Sequence, residues 1–183
     1  MKALRRFGTL GIAMIVAVAS LMLGATPASA AGDVHYENVG NPGWCLDGDG
    51  IGSNTEAYLH QCGHGQTDFQ LWTVGDSGWM FVKHKVSGKC LRVLSTRNVI
   101  LGRCGEAGTS WYANGKNGWV KFVGLADTTY MCLRPDETWV PGRSAYPLVV
   151  DWCDPRYPTP TSLHVAANVD NNVPNEQAWR WHP

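Results

Sequence analysis

The residues best suited to chemistry in this chain of 183 residues are six histidines and six cysteines. The histidines are His35, His60, His64, His84, His164 and His182. His60 and His64 bracket Cys62, a grouping that a zinc ion could use. A disulfide is the better use of Cys62, so no metal is expected. Gly48-Asp49-Gly50-Ile51-Gly52 has the glycine content of a nucleotide loop but not the strand before it and helix after it, and it reads as a turn. No Ser/His/Asp arrangement and no paired-carboxylate spacing stands out. The chain is therefore read as a non-enzyme with no cofactor.

The elements that position these residues begin after a leader. Lys2, Arg5 and Arg6 form a basic start, Thr9 to Leu23 is an uncharged apolar run, and Ala28-Ser29-Ala30 has the small-x-small pattern of a cleavage site. Residues 1–30 are read as a signal peptide, with the adjacent arginines leaving both general and twin-arginine export open. The run is short for a membrane anchor. The expected mature chain, residues 31–183, is the size of one domain and is secreted. Without the three leader cations it carries twelve Lys+Arg against fifteen Asp+Glu, a net −3. That balance offers no basic face for nucleic acid. No second apolar span follows, so no membrane insertion is expected after cleavage.

Glycine (21) and proline (10) are abundant, and all nine tryptophans follow the leader. Many turns and large aromatics favour short strands over helices. The cysteines are Cys45, Cys62, Cys90, Cys104, Cys132 and Cys153. An even count in an exported chain implies disulfides, with fifteen pairings open on paper.

A threefold internal repeat selects one of them. The first copy reads Trp44-Cys45-Leu46-Asp47, then Ala57 to Cys62, then Gln70-Leu71-Trp72. The second reads Lys89-Cys90-Leu91-Arg92, then Val99 to Cys104, then Ser110-Trp111. The third reads Met131-Cys132-Leu133-Arg134, then Leu148 to Cys153, then Gln177-Ala178-Trp179. Three copies are too few for a propeller, and period-2 alternation excludes helical repeats. Pairing within each copy gives Cys45–Cys62, Cys90–Cys104 and Cys132–Cys153, each contributing about 3 kcal/mol through loop closure. Leu59, Leu101 and Val150, with Ala57, Val99 and Leu148, share one strand face and should point inward. His60, Gly102 and Asp151 fall on the opposite, outward face.

The Cys-Leu-Asp start and Gln-x-Trp end resemble the ricin B-chain type β-trefoil lectins, over about residues 34–182. The resemblance implies an all-β fold of twelve strands, four in each of the repeats 34–75, 76–116 and 117–182. It places Trp72, Trp111 and Trp179 in the core. The middle copy departs from the motif, with Thr109 where Gln is expected.

A sugar site needs a carboxylate for paired hydroxyls, a flat side chain for stacking and an amide for orientation. By the resemblance these fall on Asp47, His60 and Gln70 in the first copy, with Phe69 where Asn is usual. Two simpler roles compete: Asp47 capping its turn and Gln70 bonding loop backbone. The second copy has Arg92 and Gly102, and the third has Arg134 and Asp151, so neither keeps the family's set. At most one carbohydrate-binding site is therefore expected, its partner a glycan or polysaccharide, and where it binds, Asp47→Ala should abolish binding with stability nearly unchanged. The rival reading is a protein-binding adaptor or targeting subunit of a secreted assembly, or an inhibitor of a secreted enzyme. The long third-copy stretch after Cys153, with Trp139, Tyr146 and Tyr157 in the same copy, could supply an aromatic contact surface, though ordinary loop packing is the favoured reading.

Overall fold

The structure, a computed structural model, describes residues 33–48, 55–65, 67–73, 77–116, 118–153 and 175–182. The leader, Tyr157 and most of the stretch after Cys153 lie outside the described residues.

Thirteen strands are present among these residues. The first segment holds β1 (Asp33–Asn38), β2 (Trp44–Asp47), β3 (Tyr58–Gln61) and β4 (Trp72–Thr73). The second holds β5 (Ser77–Phe81), β6 (Lys83–His84), β7 (Cys90–Val93), β8 (Asn98–Gly102) and β9 (Ser110–Lys116). The third holds β10 (Trp119–Ala126), β11 (Thr129–Pro135), β12 (Tyr146–Asp151) and β13 (Trp179–His182). Short 3-10 turns at Thr67–Gln70 and Asn175–Gln177 precede the first and third motif tryptophans. The count exceeds twelve because one strand is broken. Only Val82 separates β5 from β6, and its carbonyl accepts the Leu91 N–H at 2.9 Å.

All the pairings are antiparallel. β1–β4, β4–β6, β5–β9, β9–β10, β10–β13 and β13–β1 close a ring once β5 and β6 are taken as one strand. Closure leaves that ring without an open edge. The hairpins β2–β3, β7–β8 and β11–β12 are linked through β12, which pairs with both β3 and β8.

The three hairpins share one register. Cys45 stands opposite His60, Cys90 opposite Gly102 and Cys132 opposite Asp151. Each hairpin so sets its cysteines within disulfide reach, and the bonds are Cys45–Cys62, Cys90–Cys104 and Cys132–Cys153. The expected inward set is buried: Ala57, Leu59, Val99, Leu101, Leu148 and Val150 all join one core cluster.

Trp72, Trp111 and Trp179 are fully buried in that cluster. Each indole Nε1 donates to the carbonyl of the Leu in its own Cys-Leu pair. The distances are 3.0 Å to Leu46, 2.9 Å to Leu91 and 3.3 Å to Leu133. A buried indole N–H needs such a partner. The repeated Cys-Leu and Trp positions are thus two halves of one contact.

The outward face departs from expectation. His60 is 4 % exposed, Gly102 is buried and Asp151 is half-buried. Alternation does turn these residues away from the core cluster, but other segments cover them. For His60 the cover is the turn 140–145, closed by the Val140–Ala145 bridge.

Candidate functional site

Asp47 ends β2, His60 lies in β3 and Gln70 ends the first 3-10 turn. The fold brings all three together. Gln70 Nε2 donates to Asp47 Oδ2 at 3.1 Å, and His60 Nδ1 lies 3.3 Å from the same oxygen. Residues two apart on facing strands meet diagonally across a hairpin, and the shared register makes Asp47 and His60 such a pair.

This cluster is more enclosed than a surface lectin site. Asp47 is 2 % exposed and Gln70 is fully buried. His60 Nε2 faces the Arg143 carbonyl at 3.0 Å. The two ring nitrogens of His60 thus face the Asp47 carboxylate and the Arg143 carbonyl. The outer face of His60 is covered by His64, with ring centroids 4.6 Å apart and planes 22° apart. The flat ring presented to solvent is thus the exposed His64 rather than His60.

A pocket of about 220 Å³ opens here, lined by Asp47, His60, His64, Phe69, Gly142 and Arg143. The sequence reading missed His64 and the Gly142-Arg143 turn as site residues. His64 follows the second cysteine, where the motif carries no signal. Arg143 belongs to the third copy and arrives through contacts that no local pattern records. Its guanidinium pairs with Glu56 at 2.6 Å and sits 5.9 Å over the Tyr58 ring.

Gln70 has a structural role as well. Its Oε1 accepts the Gly63 N–H at 2.7 Å and its Nε2 donates to the Gln61 carbonyl at 2.9 Å. The other copies repeat these bonds. Thr109 Oγ1 accepts the Gly105 N–H at 3.1 Å, and Gln177 Nε2 donates to the Trp152 carbonyl at 2.5 Å. In each copy this side chain fixes backbone beside the second cysteine, and a hydroxyl is enough to do so in the second.

The other two copies close their equivalent positions with ion pairs. Arg92 Nη1 lies 3.2 Å from Glu106 Oε2, and its Nε donates to the Ala107 carbonyl at 3.0 Å. A Cβ on Gly102 would meet Arg92 Cδ at 2.8 Å and collide with Glu106 Oε1. The stacking position of that copy is glycine because this pair occupies its space. In the third copy Arg134 donates to Asp151 Oδ2 from Nη2 at 2.9 Å and from Nε at 3.2 Å.

Two of the three third-copy aromatics are described. Trp139, 40 % exposed, packs edge-on against Tyr146 at 4.9 Å and Trp44 at 5.8 Å. Tyr157 lies outside the described residues.

No family model and no curated protein matches the chain. Solved structures do match. A designed 3-fold symmetric protein, ThreeFoil, aligns at TM-score 0.54 and 16 % identity over 83 % of this chain and 99 % of its own. The structure of a mosquitocidal holotoxin aligns at TM-score 0.56 and 14 % identity over 84 % of this chain. The chain spans only 17 % of that holotoxin chain. At such identities the likeness concerns the fold alone, and it supports a β-trefoil.

Proposed function

We propose that the chain is a secreted carbohydrate-binding protein with one site of the ricin B type, in its first copy. The supporting observation is one pocket lined by Asp47 and His60, with Gln70 buried behind the Asp47 carboxylate and the exposed ring of His64 on the rim. Asp47 accepts hydroxyl hydrogen bonds in this reading, Gln70 orients the carboxylate, and His64 offers the flat face. In the other copies the Arg92–Glu106 and Arg134–Asp151 ion pairs occupy the space equivalent to that of Asp47 and His60. A glycan array with the exported chain, its Asp47→Asn variant and its His64→Ala variant tests this. Binding that both variants weaken supports the reading, and an array silent for the unaltered chain overturns it.

A protein-binding role is the second reading, as an adaptor, targeting subunit or inhibitor. It is favoured by the burial of Asp47 and by the Arg143 carbonyl seated on His60. The likeness to one segment of a much longer toxin chain fits such a module. A stable protein co-purifying with a chain that ignores every glycan would favour it.

A further inference from the structure

A larger groove lies at the junction of the second and third segments. Its volume is about 760 Å³, more than three times that of the first-copy pocket, and the two share no lining residue. Trp79 on β5 and Leu125 on β10 form its apolar part, 51 % and 43 % exposed. Ser95, Ser110, Arg92 and Asp127 supply polar groups.

A tryptophan half in water costs free energy unless something covers it, and clustered exposed apolar groups mark binding sites. Trp79 is also held in place. Its ring meets Tyr112 edge-on at 5.6 Å and Tyr130 at 6.3 Å. A buttressed ring loses little freedom when a ligand stacks on it. Arg92 is already engaged by Glu106 and by the Ala107 carbonyl, so the groove has no strong pull for an anion. The Asp127 carboxylate and two serine hydroxyls remain to receive hydroxyl groups. An apolar platform beside a few polar groups, without uncompensated positive charge, matches a neutral polyol with one apolar face.

The geometry points to a second carbohydrate site here, taking a neutral oligosaccharide segment, with Trp79 as platform and Asp127 as hydroxyl acceptor. Its larger volume, about 760 Å³ against about 220 Å³, leaves room for more of a glycan than the first-copy pocket does. The site stands independently of the proposal for Asp47. Two sites of different reach on one chain would raise avidity for a polysaccharide without any change in either.

The test uses the full exported chain with neutral hexasaccharides of glucose, xylose, mannose and N-acetylglucosamine, by saturation-transfer NMR and calorimetry. The expected result is binding of at least one of them, retained by Asp47→Asn and weakened about tenfold by Trp79→Ala through loss of stacking. Asp127→Asn should weaken it severalfold with an unchanged melting temperature. Asp127 has φ 55°, a left-handed conformation that Asn also tolerates, so this variant separates ligand contact from folding. No binding by any hexasaccharide overturns the proposal, as does unaltered binding by Trp79→Ala and Asp127→Asn. Loss in Asp47→Asn alone would leave the first-copy site standing and remove this one. A preference of the groove for apolar peptides over every sugar would also overturn it.

Discussion

Gln70 reaches back 23 residues to place Nε2 3.1 Å from Asp47 Oδ2, with both side chains buried. This contact changes what Asp47→Ala should do. Sequence reasoning treats Asp47 as an exposed ligand group whose loss leaves stability nearly unchanged. In the fold, the substitution removes an acceptor from the buried Gln70 amide and the carboxylate that lies against His60. A loss of about 1–3 kcal/mol is expected from leaving buried donors unsatisfied, read as a lower urea midpoint. Asp47→Asn keeps an acceptor oxygen and should lose less.

The three motif tryptophans should behave alike. Each of Trp72→Phe, Trp111→Phe and Trp179→Phe strands a buried Leu carbonyl and leaves a small void. About 1–3 kcal/mol per site is expected. Equilibrium unfolding of the three variants checks it, and one variant that is nearly neutral would contradict the equivalence of the copies.

Two glycines are held by ring faces rather than by backbone conformation. A Cβ on Gly124 would lie 2.8 Å from Trp111 Cζ3, and one on Gly48 would lie 2.6 Å from His84 Cδ2. Gly124→Ala and Gly48→Ala should each cost about 1–3 kcal/mol through overpacking, measured by thermal melts.

Acid should destabilise the chain through His84. Burial holds its pKa below the ordinary histidine value, against the opposing pull of the Phe69 carbonyl and the Asp47 charge. Its Nε2 lies 2.9 Å from that carbonyl and its Nδ1 lies 2.8 Å from Ser87 Oγ. With the folded pKa depressed, the unfolded chain takes up the proton first. Stability is full above the unfolded pKa of 6.5 and falls as pH drops below it toward the folded value. His35, also lowered mainly by burial, adds to the same trend. Asp33 and Glu37 are lowered by hydrogen bonds, so their loss comes only in the more acid carboxylate range. Melting temperature against pH should therefore decline below about 6.5, and His84→Gln should flatten the decline.

The parts of the fold legible in the sequence were those written three times. Cys45, Leu46 and Trp72 recur in each copy with fixed order, and an apolar residue recurs at the Leu59 position, so pairing, inward face and buried indoles could be read directly. The period-2 pattern also placed His60 opposite Leu59, turned away from the core. It carried no sign that Arg143, 83 residues on, would lay its carbonyl against that ring. The closure of the other copies was half legible. Arg92 and Arg134 stood where a carboxylate was expected, but the reason for Gly102 emerged only with Glu106 in place. The Trp79 groove was invisible, because Leu125 and Asp127 reach it from the third copy through the β9–β10 pairing.

The central claim is a sugar pocket built on Asp47, and a calorimetric titration tests it most directly. The chain and its Asp47→Asn variant, both first verified as folded, are titrated with the monosaccharide that scores highest on the array. The account predicts measurable heat for the unaltered chain and at least about a tenfold weaker association for the variant. Equal binding by the two proteins would contradict it.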